Sequence, residues 1–236
     1  MSHTSQRRGL SEYKPGKEMI VLAMLPKEIK DNSSAKAAMS ELAAIMKDHG
    51  PDNWIIKSAT EIHVPDLGPA EGLVRRMHKH WPEKTDRLLI RAAGYLSSVV
   101  TALYTDVEKV KALISEIQGD WLENNRAKGL PVSIVLSGLF DEVRECCRKT
   151  GTTEHTYLHS LGFYGSVDAL PSPDELEIIT MCGHGLVATN RVRDLAAKVR
   201  AGSMGLREAA EETARPCVCG IVNIDRAEEV FARLVK

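Results

Sequence analysis

Two short pairs of metal-binding residue types lie near the C-terminus of the chain. The first has the sequence CGHG at residues 182–185, and the second has the sequence CVCG at residues 217–220. Thiolate and imidazole groups are the ligands that zinc, other transition metals and iron–sulfur clusters take from proteins. Two such pairs predict one site with four ligands. The predicted ligands are Cys182, His184, Cys217 and Cys219.

The chain between the two pairs favours their convergence. Apolar residues at helical spacing predict helices over 189–200 and 204–214, joined by a short turn at 201–203. Antiparallel helices joined in this way bring their outer ends together, where one pair precedes the first helix and the other follows the second. Gly183 and Gly220 let the backbone approach a cluster closely and bond its sulfurs, so they are predicted cofactor-binding positions.

Residues 182–219 resemble the [2Fe–2S] domain of bacterioferritin-associated ferredoxins, which is also found fused to oxidoreductases. The resemblance rests on a first ligand pair, a Val-Ala-Thr start to a helix, an Ala-Gly turn and a closing cysteine pair. His184 stands where that family has a cysteine, and the closing pair is C-x-C instead of C-x-x-C. The resemblance implies a [2Fe–2S] cluster held by the predicted ligands, and the ligand types alone also leave a [4Fe–4S] cluster open. Histidine ligands occur on such clusters, and the two departures also admit zinc.

A second resemblance favours a thiol enzyme without a cofactor. The segment 181–185, MCGHG, is similar to one catalytic-cysteine box of proline racemases, in which a strand leads through the cysteine into a helix. This resemblance implies that Cys182 removes or donates a proton opposite Cys217 or Cys219. A helix N-terminus and His184 would activate the Cys182 thiol. A zinc-stabilised interaction module without catalysis is the third hypothesis.

Other residues of these types carry weaker signals. His155 and His159 have the i, i+4 spacing of metal ligands on a helix, but a polar loop with solvated histidines explains them better. We still expect one of them near the Cys182 turn, because their segment leads toward it. Cys146 and Cys147 are adjacent on a predicted helix, where their side chains point about 100° apart. They are therefore predicted to be one core residue and one residue near the surface.

Composition excludes several classes of function. The formal charge is −1, so no general attraction to nucleic acid or anionic lipid is expected. No apolar stretch reaches membrane-spanning length, and the polar N-terminus lacks the apolar core of a signal peptide. Five clustered cysteines are atypical of a disulfide framework. These features predict a cytoplasmic protein. The predicted site implies a redox protein or a small-molecule substrate as its partner. The sequence makes no prediction about the oligomeric state.

Strand and helix patterns predict an α/β fold with three parts. Residues 1–17 are expected to form a mobile arm, 18–181 a layered body of a few strands with flanking helices, and 182–236 a helical metal or iron–sulfur module with a hairpin and a final helix. The predicted strands are Met19–Leu25, Trp54–Ile56, Glu61–Val64, Val132–Leu136 and Leu176–Thr180. The predicted helices of the body cover 34–49, 69–81, 86–105, 106–128 and 139–149. The α/β body together with the two ligand pairs predicts an iron–sulfur-dependent enzyme or an oxidoreductase component.

Overall fold

The computed structural model describes Gly9 and residues 18–56, 87–154, 164–217 and 221–236. Its contacts divide the chain into two compact units. The described part of the first unit is 18–56 and 87–154 with Ile221, and that of the second is Gly9, 164–217 and 222–236. The units separate between Glu154 and His155 instead of at the boundary expected between residues 181 and 182.

The first unit is built on a four-stranded antiparallel sheet in the order β2-β3-β1-β4. Its strands are β1 (Met19–Met24), β2 (Asn53–Ile56), β3 (Val99–Tyr104) and β4 (Ser133–Ser137). In the central pair, Met19 lies opposite Tyr104 and Met24 opposite Val99. The apolar run of β1 is buried almost throughout, as a central strand requires. The mixed α/β fold predicted from the sequence is therefore confirmed.

The described part of the first unit also contains five helices. They are α1 (Ser33–Asp48), α2 (Arg87–Tyr95), α3 (Val107–Glu116), α4 (Leu122–Ala127) and α5 (Phe140–Thr150), with a π-helical segment at Ile117–Trp121 joining α3 to α4. Asn32 and Asp106 cap α1 and α3 through side-chain oxygens. Cys146 is buried and Cys147 half-buried, which confirms the prediction for this pair, and burial raises the pKa of the Cys146 thiol to about 11.

Close packing of α1 on α2 and on the sheet defines the core of this unit. A Cβ atom at Gly94 would lie 2.8 Å from the Cβ of Ala43 and 2.9 Å from the carbonyl oxygen of Met39, so only glycine permits this approach of the two helices. The Tyr104 hydroxyl donates a hydrogen bond of 2.7 Å to the carbonyl oxygen of Met46. This bond connects β3 to the C-terminal half of α1. It also gives the buried Tyr104 hydroxyl the hydrogen-bond partner that burial requires.

The single helix predicted over residues 86–105 is wrong in its second half. Helix α2 ends at Tyr95, and β3 begins at Val99. The Ser97 hydroxyl donates to the carbonyl oxygen of Val99 and accepts from the N–H of the same residue, which favours a turn over a continued helix. The following VVTALY segment is rich in β-branched and aromatic residues, so it pairs well within a sheet.

The second unit is helical in its described part. After a short 3₁₀ turn at Val167–Ala169, it contains α6 (Pro173–Ile179), α7 (Thr189–Arg200), α8 (Leu206–Ala214) and α9 (Ile224–Leu234). Helix α6 packs against α7 and α9, and α8 packs against α7 and α9. The predicted helical hairpin, α7 and α8, and the predicted final helix are confirmed.

The strand predicted at Leu176–Thr180 is wrong, because this segment belongs to helix α6 and its C-terminal cap. Ser172 caps the helix by accepting the N–H of Glu175, and the Glu175 carboxylate accepts the N–H of Ser172 in return. Pro173 occupies the first turn. Such a capping box followed by proline starts a helix and outweighs the β propensity of the two isoleucines that follow.

Some predictions fall outside the described residues. They are the strand at Glu61–Val64, the helix over 69–81, the positions of His155 and His159, and all of the expected mobile arm except Gly9 and its junction with β1. Among the helices that the structure does describe, none is both long enough and apolar enough to span a lipid bilayer.

Candidate functional site

Two loops carry the candidate ligands. The first cysteine loop, residues 180–188, joins α6 to α7, and the second cysteine loop, residues 215–223, joins α8 to α9. Cys182 is 1% exposed and Cys217 is 5% exposed, and both are reduced thiols. Each loop therefore presents one sulfur to a protein interior instead of to solvent.

The backbone of the first cysteine loop requires two of its glycines. Gly183 and Gly185 have φ angles of 74° and 65°, in the left-handed region that other residues rarely adopt. The N–H of Gly183 donates a 2.9 Å hydrogen bond to the carbonyl oxygen of Thr180, which closes a turn around Cys182. The chain thus reverses immediately after the cysteine, and half-buried His184 lies between the two glycines.

An ion pair joins α7 to α8, the helices that flank the two cysteine loops on one side. Arg191 in the first turn of α7 donates a 2.8 Å hydrogen bond to Glu212 in the last turn of α8. Glu212 also pairs with Arg215, at 2.6 Å. The pair shows that α7 begins where α8 ends, so the hairpin is antiparallel and both cysteine loops meet its open end.

A second ion pair joins α6 to α9, the helices that flank the two cysteine loops on the other side. Glu177 lies near the C-terminal end of α6, and Arg226 lies in the first turn of α9, with 3.5 Å between Glu177 Oε1 and Arg226 Nη1. Arg226 is fully buried. Arg233 donates to the other Glu177 oxygen at 2.7 Å. Burial raises the pKa of the Glu177 carboxyl, although both guanidinium groups oppose this rise.

A third ion pair fixes α6 to α7 without joining the two cysteine loops. Arg193 of α7 donates to both carboxylate oxygens of Glu175. This guanidinium, aided by the N–H and hydroxyl groups of Ser172, lowers the pKa of the Glu175 carboxyl to about 2. Glu175 is buried, whereas more than half of the Arg193 side chain is exposed, so solvent screens part of the attraction.

We expect the Glu175–Arg193 pair to give the protein a specific acid sensitivity. The folded-state pKa lies below the ordinary value of 4.5, so ionised Glu175 stabilises the fold above that pH, and this stabilisation is lost as the pH falls toward 2. Glu175→Gln keeps an oxygen for the capping box and should lower the free energy of unfolding by about 1–2 kcal/mol at pH 7.

Urea denaturation of the wild-type chain and of Glu175→Gln at a series of pH values measures this effect. The difference between them should be constant from pH 6 to 7 and should shrink below about pH 4.5. Arg193→Gln should reproduce the same profile, because it removes the other partner. A difference that is independent of pH would contradict the assignment.

The structure joins the helices that flank the two loops and describes only part of the predicted ligand set. Cys182, His184 and Cys217 are described, whereas Cys219 and Gly220 lie outside the described residues. Within the described residues, no group of three or more histidine, cysteine and carboxylate side chains is arranged to hold a metal ion. The complete site, including Cys219, stays a prediction.

The structural context of Cys182 differs from the one that the racemase resemblance implies. Cys182 follows helix α6, not a strand, and residues 183–188 separate it from the first residue of α7. The helix N-terminus expected to activate the thiol is therefore not adjacent to it in sequence. A role for Cys182 as an acid, base or nucleophile stays a prediction.

The residues that hold the two cysteine loops together were not identified from the sequence. The S-P-D-E segment at residues 172–175 has the spacing of a capping box, which marks the start of a helix. This pattern alone predicts the start of α6. Glu177 and Arg226 carried no such signal, because they are 49 residues apart in sequence and a charged residue is by default expected on the surface.

No protein-family model, curated protein or solved structure matches the chain. The resemblance of residues 182–219 to the ferredoxin domain therefore stays a prediction.

Proposed function

We propose that the two cysteine loops hold an iron–sulfur cluster and that the protein acts as a redox protein or as a cluster-dependent enzyme. One observation carries this proposal. Two ion pairs, Arg191–Glu212 and Glu177–Arg226, join the flanks of both cysteine loops, and each loop has a buried, reduced cysteine. Segments that carry Cys182 and Cys217 are thus held at one end of the helical hairpin, as a shared site requires.

The chemistry of the donor groups fits a metal or cluster. A buried thiolate is costly unless a positive charge compensates it, and a bound metal supplies that charge. Cys219 lies two residues after Cys217 and would be the third sulfur, with His184 as a fourth ligand. A bound cluster would supply one-electron transfer, and the protein would hold it in place and exclude water around it.

The burial of Cys182 favours a ligand over a catalytic thiol. Reactive cysteines lie in partly exposed, electropositive surroundings, where the thiolate can reach a substrate. Cys182 is instead almost completely inaccessible. The proposal includes a cytosolic location, because five clustered cysteines are atypical of a secreted disulfide framework. Its partner would be a redox protein or a small-molecule substrate.

Titration of the metal-free protein with cobalt(II) tests the ligand set. Thiolate–cobalt bonds give intense near-ultraviolet absorption, and tetrahedral cobalt gives visible bands. We expect both in the wild-type chain, with weaker visible absorption in His184→Ala if the imidazole is a ligand. Unchanged spectra in His184→Ala would leave a three-cysteine site. The absence of thiolate–cobalt absorption in the wild-type chain would contradict the proposal.

A further inference from the structure

Strand β4 forms one edge of the sheet in the first unit and lacks the residues that usually protect an edge. In the described part of the chain it pairs with β1 alone. Its sequence, SIVLS, has no charged residue and no proline, and its apolar residues Ile134, Val135 and Leu136 are only half-buried. Monomeric proteins protect sheet edges with charges, prolines, bulges or covering segments, because an open edge pairs with another strand. Strand β4 therefore has the properties of a strand that pairs with a partner.

The hydrogen-bonding direction of each β4 residue follows from the neighbouring strands. The N–H of Leu25 donates a 2.9 Å hydrogen bond to the carbonyl oxygen of the residue that precedes β3. Successive residues of a central strand bond alternately to its two neighbours, so Leu22, the third residue before Leu25, bonds toward β4. Leu22 lies opposite Val135. Val135 thus bonds inward to β1, and Ile134 and Leu136 direct their N–H and C=O groups away from the sheet.

These directions define one symmetric pairing of β4 with β4 of a second copy. When the two strands run antiparallel with Val135 opposite Val135, Ile134 of each copy lies opposite Leu136 of the other. Such a pair exchanges two N–H···O=C hydrogen bonds, so every outward group of Ile134 and Leu136 gains a partner. The same surface serves both copies, as a twofold interface requires.

Helix α5 lies on the same face of the sheet as the outward-bonding residues of β4. It begins shortly after β4, and its Val143 packs against the core together with Ile134 and Leu136. In the twofold pairing the axis is perpendicular to the sheet. The two copies of α5 therefore lie on one face and run antiparallel to each other.

The charges of α5 are complementary in this arrangement. The eleven residues of the helix span about 16 Å at about 1.5 Å per residue, and Val135 lies two residues, about 7 Å, before the end of β4. The axis thus passes about level with the helix midpoint. The first turn of α5 is acidic and its last turn is basic. Exposed Asp141 of one copy consequently faces exposed Arg148 of the other.

We propose that the chain forms a twofold dimer in which β4 pairs with β4 of a second copy and joins the two four-stranded sheets into one. The occupant of the edge is a second copy of this chain because both the outward backbone groups and the charges of α5 are self-complementary. The proposal does not depend on the proposed function.

Sedimentation equilibrium of the reduced, full-length chain measures the Kd of the dimer. Val135 meets its own copy at the axis, in a non-hydrogen-bonded pair where side chains approach closely. Like charges at such a position repel, so we expect Val135→Lys and Val135→Glu each to raise the Kd by about tenfold or more. Val135→Thr is the matched control, because it stays uncharged and β-branched, and it should change the Kd by less than about threefold. An equimolar mixture of the Lys and Glu variants should associate within about threefold of the wild-type chain, because opposite charges then meet.

Three results would overturn the proposal: a wild-type chain that stays monomeric at about 100 µM, a dimer that Val135→Lys leaves unchanged, or a mixture of the charged variants that does not associate. If circular dichroism shows that the charged variants of residue 135 do not fold, substitutions on the exposed face of α5 decide. Asp141→Lys and Arg148→Glu should each raise the Kd by about threefold, and the chain that carries both should recover the wild-type Kd, because the exchanged charges meet again. A double variant that associates no better than the single variants overturns the proposal.

Discussion

Serine in place of Cys182, Cys217 or Cys219 is expected to lower bound metal by about tenfold or more, with the same result for each variant. A lost ligand costs more than a lost supporting contact, and such contacts alone are worth 10–100-fold in affinity. The three variants should also lose the stabilisation that metal gives to the folded state, so their thermal midpoints should approach that of the metal-free wild-type chain. Metal analysis and calorimetry of anaerobically purified proteins measure both effects.

Cys147→Ser is the matched control for this series. Cys147 is a half-buried thiol of α5, in the first unit. Its substitution should leave the metal content unchanged. Different behaviour among the three site variants would contradict a shared site. In particular, a Cys182→Ser variant that loses activity but keeps its metal and its thermal midpoint would indicate a catalytic thiol.

Arg226→Met alone is expected to destabilise the second unit strongly. It leaves the Glu177 carboxylate buried with Arg233, at 2.7 Å, as its remaining cationic contact. Breaking a buried ion pair costs about 3–5 kcal/mol, and the remaining guanidinium should keep the loss near about 3 kcal/mol. Urea denaturation of the metal-free chain measures it, with Arg193→Gln as the control on a more exposed pair.

The loss in Arg226→Met should depend on pH in a defined direction. Burial already raises the pKa of the Glu177 carboxyl in the wild-type chain, and removal of a guanidinium raises it further. A raised carboxyl pKa opposes folding at pH values above the ordinary value of 4.5, where the unfolded chain is ionised. The difference from the wild-type chain should therefore grow as the pH rises from 4 to 7. A loss below 0.5 kcal/mol at every pH would contradict a role for this pair.

The sequence correctly predicted the helices and strands whose apolar pattern lies within their own residues. The apolar run of β1 and the periodicity of α7 each specify one structure, and both predictions are confirmed. The helix over 86–105 and the strand at Leu176–Thr180 were wrong because the residues that end or begin a helix there outweigh the wider pattern. Ser97 ends α2 before β3, and the capping box at Ser172 starts α6 where isoleucines favoured a strand.

The candidate site was only partly predictable for a different reason. The cysteine pairs were visible because metal ligands have characteristic types and spacing. The contacts that hold their loops, such as Glu177–Arg226, join residues far apart in sequence and have no spacing rule. Only the packing of α6 on α9 brings these charges together, and that packing follows from the whole helical unit.

The iron, zinc and acid-labile sulfide content of the anaerobically purified wild-type chain tests the central claim most directly. The account predicts one site per chain, with iron and sulfide in equal amounts for an iron–sulfur cluster, and it predicts that Cys217→Ser purified in parallel lacks both. Zinc without sulfide would keep the site but replace the redox function with a structural one. A wild-type chain with neither metal nor sulfide, and with cysteine variants that melt at the wild-type temperature, would contradict the account.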